Sequence, residues 1–229
     1  MNFYILLVIS IIFFTLFTFA RRINDTFVLI AVAIGCACNA NLFTPLNMPI
    51  NIGPFIFGMD SILYTLFFFT IIIRAIKYSI KDAKVMTITA VVAIIISGLI
   101  ELCSLGSYNG GFKVEFLLTF SKYIFSVIGT LVGVWLMLLI FDIMSKKNIK
   151  NINYLAIYLG IIIACLINSI FYYVFVIIVN RGFSDQALSI ALGSCIGRLF
   201  CIHLAMLSYF IYEKFLDPNK KNKGIEEDV

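Results

Sequence analysis

Residues 58–74 read GMDSILYTLFFFTIIIR, an almost unbroken apolar run with one carboxylate, Asp60, near its start. A charged side chain deep in hydrocarbon costs at least ~2.5 kcal/mol, so an aspartate in such a run requires a polar environment. The rest of the chain is similarly apolar: 62% of its 229 residues are hydrophobic, 13% are charged, and the mean hydropathy is +1.06. Because soluble domains contain about 25% charged residues, this composition indicates an integral membrane protein.

Short polar breaks divide the chain into seven apolar segments of about bilayer-spanning length. We predict helices at about 3–20, 26–44, 54–76, 84–104, 116–144, 154–180 and 187–212, with six spans as the alternative count. The expected fold is therefore all-α, with one transmembrane helical bundle over residues 1–213 and a short charged cytoplasmic tail over 214–229. No basic residue precedes the first apolar run, so we expect that segment to be retained rather than cleaved.

Basic residues follow alternate segments. Thirteen of the 17 lie after the first, third, fifth and seventh segments: Arg21, Arg22, Arg74, Lys77, Lys81, Lys84, Lys146, Lys147, Lys150, Lys214, Lys220, Lys221 and Lys223. Cytoplasmic loops are enriched in lysine and arginine, which predicts an external N-terminus, a cytoplasmic C-terminus and a multi-pass location in the cell membrane. The same pattern accounts for the net charge of +5 without a nucleic-acid partner.

Arg198 is the polar residue that the sequence places deepest. It lies about eleven residues into the last segment, too far from either end for its guanidinium to reach water easily, so it should face the bundle interior and have a partner. The candidate partners are Asp60 in a structural ion pair, an amide such as Asn168, or an anionic or carbonyl-bearing ligand. The sequence leaves these alternatives open.

Other polar side chains at depth share helix faces with these residues. Tyr64 is four positions after Asp60, and Tyr172 is four positions after Asn168, so each pair lies on one face. The predicted substrate-binding set is Asp60, Asn168, Arg198, Asn41, Tyr64 and Tyr172.

Several other features point away from catalysis and metal binding. His203, the one histidine, is about 140° around the helix from Arg198, so the two should not share a pocket. The six cysteines show no C-x-x-C spacing, and neither a metal site nor a cofactor is expected. H-E-x-x-H, G-x-S-x-G and Walker A motifs do not occur, so we do not expect an enzyme.

Glu101 is expected to be a solvated carboxylate at a helix end, and the Gly193–Gly197 motif predicts close helix packing.

Several stretches together resemble a known family. They are CNANLFTPLN (38–47), NIGPF (51–55), the helix from Gly58 to Arg74, ISGLIELCSLGSY (96–108), LINSIFYYVF (166–175) and a basic residue in the last span, here Arg198. In these features the chain resembles the putative vitamin uptake transporters, which include queuosine-precursor transporters and are similar in plan to vitamin-binding S-components. The resemblance covers nearly the whole chain and implies a helical bundle that binds a small solute.

The chain departs from that family at three places. The family usually has an aspartate late in its third helix, where Thr70 stands here, and another in the sixth-span motif, where Asn168 stands. The proline that commonly ends the last helix is also missing. The departures imply either a different ligand or a retained fold with altered transport.

The leading hypothesis is uptake of a small organic solute, vitamin-like or nucleobase-like, held in an outward-opening intramembrane cavity. The partners would be the lipid bilayer, the solute and a separate energising subunit, since no ATPase motif is present. The alternative is a membrane sensor or accessory module that acts through a partner protein.

Overall fold

The structure, a computed structural model, describes residues 3–43, 49–109, 114–146, 152–179 and 185–216. Its helices are α1 (Phe3–Ile23), α2 (Asp25–Ala40), α3 (Asp60–Lys77), α4 (Ile80–Asn109), α5 (Val114–Ser145), α6 (Ile152–Val179) and α7 (Asp185–Ile211). A π-helical turn, Tyr212–Leu216, continues α7, and two short strands, β1 (Ile50–Ile52) and β2 (Phe55–Phe57), precede α3. The all-α prediction is therefore confirmed, and each predicted segment corresponds to one helix.

Among the described residues, four segments are long and apolar enough to cross a membrane: Ile80–Ser104, Leu117–Ser145, Tyr154–Ile178 and Ala187–Leu216. Asp25–Ala40 is a shorter apolar helix. These segments expose many large apolar side chains, including Ile100, Trp135 and Leu207, as expected for surfaces that face lipid. Most of the predicted cytoplasmic tail, residues 217–229, lies outside the described residues, as do Lys147 and Lys150.

The prediction that the third helix begins near residue 54 is wrong, because residues 50–57 form an antiparallel hairpin. Ile52 pairs with Phe55 across a two-residue loop, Gly53–Pro54. Gly53 has φ +58°, and Pro54 cannot adopt a positive φ, so the loop is a type II′ turn, which requires glycine at its first central position. Pro54 is thus a turn residue and not the first-turn proline of a helix.

Helix α3 is the centre of the bundle. It contacts α2, α4, α5, α6 and α7, and 15 of its 18 residues are buried. Its Phe67, Phe68 and Phe69 are fully buried, and Phe69 packs against Phe14 and Phe17 of α1. The apolar run at residues 58–74 therefore faces protein on all sides, which gives Asp60 access to partners on several helices.

The Gly193–Gly197 motif packs closely, but mainly against the hairpin and not, as predicted, against another helix. A Cβ atom at Gly193 would overlap the carbonyl of Ile56, and one at Gly197 would lie 3.0 Å from both Phe57 and Ser61. One turn earlier on α7, Ser189 donates a hydrogen bond to the carbonyl oxygen of Pro54. These small residues form a stripe on α7 that admits the hairpin backbone, which in turn fixes the start of α3 against α7.

At the C-terminal end of α3, which is opposite to Asp60, charged side chains connect the ends of four helices. Arg21 Nε donates to Asp25 Oδ1 over 2.6 Å, and Lys77 Nζ lies 3.5 Å from Asp25 Oδ2 and 3.6 Å from Glu213 Oε1. The Arg21 guanidinium stacks 3.7 Å from the ring centroid of Tyr212 in the π-helical turn. The ends of α1, α3 and α7 and the start of α2 therefore meet at one end of the bundle.

Candidate functional site

The deepest contact of the site is an ion pair between α3 and α7. Arg198 Nη2 lies 3.1 Å from Asp60 Oδ2, and the two side chains are 1% and 0% exposed. Arg198 Nη1 donates to Ser169 Oγ over 2.9 Å and to the carbonyl oxygen of Cys165 over 3.2 Å, both on α6. Of the partners left open by the sequence, Asp60 is thus in contact with the guanidinium.

The position of Asp60 explains how a carboxylate is accommodated there. Asp60 is the first residue of α3, where the positive end of the helix dipole favours a negative charge. Its own backbone N–H donates to the carbonyl oxygen of Phe43 over 3.1 Å. This bond ties the turn after α2 to the start of α3 and places Asn41 near the same end of the helix.

Tyr64 connects the ion pair to a second polar group. Its ring lies 4.9 Å from the Arg198 guanidinium carbon, within the range of a cation–π contact. Its hydroxyl lies 2.6 Å from Ser126 Oγ and donates to Asn41 Oδ1 over 3.3 Å. Asn41 Nδ2 donates to Ser126 Oγ over 3.1 Å, so α2, α3 and α5 share one hydrogen-bond network.

A small cavity adjoins this network. Its volume is about 10 Å³, and its wall consists of Asn41, Tyr64, Lys122, Phe125, Ser126, Asn168 and Tyr172. A cavity of this size has room for about one water molecule. In this conformation the site is therefore closed, and a nucleobase-sized solute would need the surrounding helices or side chains to move.

All six residues predicted as substrate-binding lie in this region. Asn41, Tyr64, Asn168 and Tyr172 line the cavity, while Asp60 and Arg198 lie behind Tyr64. Tyr172 also packs against Phe175, with ring centroids 6.1 Å apart. The structure thus brings together residues from α2, α3, α6 and α7 that are up to 157 positions apart, the separation of Asn41 and Arg198.

His203 and Glu101 lie elsewhere. His203 is exposed, and its Nδ1 is 2.8 Å from the carbonyl oxygen of Leu199, in agreement with the predicted angular separation from Arg198. Glu101 is only 26% exposed, and it accepts hydrogen bonds from Lys122 Nζ over 3.1 Å and from Tyr123 OH over 2.5 Å. The prediction of a freely solvated carboxylate at Glu101 is therefore wrong, because α5 supplies it with two donors.

The predicted substrate-binding set omits three residues of the site. Lys122 is 8% exposed and lines the cavity. Ser126 and Ser169 hydrogen-bond to Tyr64 and Arg198. The spacing of Lys122 and Ser126, four apart on one face of α5, was the available signal.

Metal-binding groups are not brought together in the part of the chain described. No cluster of three His, Cys, Asp or Glu side chains occurs within the described ranges. None of the six cysteines, all of which lie in the described ranges, forms a disulfide bond. The chemistry that the site offers is thus hydrogen bonding, charge pairing and aromatic contact.

Comparison of the chain with known protein families, with curated proteins and with solved structures gives no match.

Proposed function

We propose that this chain is a multi-pass protein of the cell membrane whose seven helices all cross the bilayer, with the N-terminus outside and the C-terminus in the cytoplasm. Four long apolar helices support the membrane location. The meeting of Arg21, Lys77 and Glu213 at one end of the bundle supports the up-and-down order of α1, α3 and α7. That end is the one that the distribution of basic residues assigns to the cytoplasm.

The proposed function is binding and uptake of a small organic solute. The observation that carries this proposal is the convergence of Asp60, Arg198, Tyr64, Asn41 and Asn168 on one buried polar region that includes an ion pair between two helices. Polar groups at such depth are expensive in a membrane protein, and they commonly mark a substrate or ion path.

The resemblance to vitamin uptake and queuosine-precursor transporters suggests the kind of solute. Thr70, which stands where that family has an acid, is fully buried and bonds the carbonyl oxygen of Phe67 within its own helix. Asp60 is the carboxylate that α3 does supply, and it lies ten residues earlier. We therefore place the ligand around Tyr64 and Asn168, nearer the outer end of α3, with energy supplied by a coupled ion or a separate subunit.

Transport requires the closed cavity to open. Pockets for small organic ligands typically have volumes of about 300–1,000 Å³, whereas this cavity has about 10 Å³. We propose that the hairpin moves, because it leads directly into Asp60; the movement would release its close contact with the small-residue stripe of α7. Its displacement outward would uncover the N-terminal end of α3.

The test is thermal unfolding of the detergent-purified protein with a panel of vitamins, nucleobases and deazapurines. A ligand that binds the native state raises its apparent stability. We expect at least one compound to raise the melting temperature, with the shift lost in Asn168→Leu and Tyr64→Phe and retained in the exposed control His203→Gln. A folded sample that responds to no compound, or a shift that survives both variants, would contradict the proposal.

The second candidate function is an accessory or sensory module that acts through a partner. The observation that favours it is an apolar groove of about 460 Å³ between α1, α2 and α3, lined by residues such as Phe13, Val32 and Leu66. A groove of this kind suits a helix of another membrane protein. Stable copurification of a defined partner, lost when Gly35 in the groove is replaced by Leu, would favour this second function.

A further inference from the structure

Lys122 is a buried cation that the proposed site has not yet used. It lies on α5, is 8% exposed and forms part of the cavity wall. Among the described residues of that wall it is the only one with a formal charge. Arg198, the other buried cation nearby, is not part of the described cavity wall; it contacts the ring of Tyr64 and is paired with Asp60.

The hydrogen bonds of Lys122 leave room for another acceptor. A lysine ammonium carries three N–H donors. Within the described ranges Lys122 Nζ makes one hydrogen bond, to Glu101 Oε1, and lies 5.1 Å from the ring centroid of Tyr123. A cation at this depth that uses one donor of three is incompletely coordinated, and further acceptors would stabilise it.

Glu101 compensates the charge of Lys122 from outside the cavity. It is absent from the described cavity wall, it is 26% exposed, and Tyr123 OH holds its other oxygen at 2.5 Å. A solute in the cavity would therefore meet the ammonium group before it met any carboxylate. The rest of the wall offers two amides, hydroxyl groups and the ring of Phe125, which bind neutral and aromatic groups.

We propose that Lys122 binds a carboxylate group of the solute, so that the substrate class is monoanionic aromatic or heterocyclic carboxylic acids. This inference rests on the proposed solute-binding function and names its substrate class. One cation in the wall, which has two N–H donors beyond its bond to Glu101, matches one negative charge, whereas a phosphate dianion would call for a second cation. The amides of Asn41 and Asn168 bind the polar edge of the ring, and Phe125 contacts its face.

Glu101 and the solute compete for Lys122 in this scheme. In the empty site the ammonium group pairs with Glu101, and in the loaded site it shares its donors with the solute carboxylate. Removing the negative charge of Glu101 should therefore strengthen acid binding. A purely structural role for the Glu101–Lys122 pair predicts the opposite, since its loss would loosen the contact between α4 and α5.

The experiment uses the full chain in detergent and matched acid and amide pairs: nicotinate with nicotinamide, biotin with biotinamide, and indole-3-acetate with indole-3-acetamide. Dissociation constants come from the concentration dependence of thermal unfolding. We expect the acid of at least one pair to bind about 10- to 100-fold more tightly than its amide, the range expected for a charged hydrogen bond. Lys122→Gln should abolish this preference, and Lys122→Arg should keep it.

Two further variants separate binding from folding. Glu101→Gln should tighten acid binding several-fold, and the 72%-exposed control Lys146→Gln should leave it unchanged. Amides that bind as well as acids, acid binding that survives Lys122→Gln, or weaker acid binding in Glu101→Gln would each overturn the inference while leaving solute binding intact. A folded protein that binds neither these acids and amides nor any compound of the wider panel would overturn the proposed function as well.

Discussion

Arg198 on α7 and Asp60 at the start of α3 are separated by 138 positions in the sequence, yet Arg198 Nη2 donates to Asp60 Oδ2 over 3.1 Å. Both side chains are shielded from solvent. Arg198 Nη1 has two acceptors on α6, while Nε has no hydrogen-bond partner among the described residues. The guanidinium of Arg198 therefore connects α3, α6 and α7. Substitutions at Arg198 and Asp60 can measure how much this contact contributes to the stability of the fold.

Removing one member of this pair should be far more harmful than removing both. Asp60→Asn or Arg198→Gln leaves a buried charge without its counter-charge, which costs about 3–5 kcal/mol, whereas replacing a buried pair by apolar residues is often neutral. We expect each single variant to lower the melting temperature strongly and Asp60→Leu with Arg198→Met to recover most of the loss. Strictly additive effects in the closed cycle of Asp60→Leu, Arg198→Met and the double variant would contradict a direct pair.

The hydroxyl of Tyr64 should contribute to stability through the Ser126 and Asn41 network. Tyr64→Phe leaves a buried hydroxyl and an amide short of a partner, with an expected loss of about 1–3 kcal/mol. The same substitution at the exposed Tyr78, whose hydroxyl pairs with Thr26 at 2.5 Å, should cost less. Equal losses in the free energy of unfolding for the two variants would show that the buried network contributes no additional stability.

The contact between the α7 stripe and the hairpin predicts a difference between two glycines. Gly193→Ala puts a methyl group into the carbonyl of Ile56, and overpacking of this kind costs about 1–3 kcal/mol. A Cβ atom at Gly35 would meet nothing within 4 Å, so Gly35→Ala should change the free energy of unfolding by less than about 0.5 kcal/mol. Similar melting temperatures for the two variants would argue against tight hairpin packing.

The substitution Arg21→Lys should lower the stability of the protein. The Arg21 guanidinium stacks on Tyr212 at 3.7 Å and bonds Asp25, and lysine lacks the planar group that does both. Loss of a desolvated cation–π contact corresponds to about 2 kcal/mol. The neighbouring Arg22 is exposed, so Arg22→Lys is the matched control and should melt like the parent protein.

The proposed orientation predicts the behaviour of C-terminal fusions. Green fluorescent protein fused after Val229 should fluoresce, and alkaline phosphatase fused at the same place should be inactive, because the former folds in the cytoplasm and the latter outside it. The opposite result would place the charged cluster around Arg21 and Lys77 on the external side.

The sequence was sufficient to locate the helices and six residues of the polar region, since isolated polar side chains in apolar runs are conspicuous. It failed at the hairpin, because Gly53–Pro54 is compatible both with a tight turn and with a helix start. It also failed at Lys122 and Glu101, each near a predicted helix end, where charged residues are ordinarily solvated. Their mutual contact depends on how α4 and α5 pack, which no local pattern encodes.

The burial of α3 has a consequence for biogenesis. Its 18 residues include Asp60, Arg74 and Lys77, and charged residues raise the free energy of inserting a lone helix into lipid. Arg198, which neutralises the charge of Asp60, is synthesised 138 residues later. Helix α3 therefore emerges from the ribosome early but reaches its final environment only when α7 arrives, so the order of assembly differs from the order of synthesis.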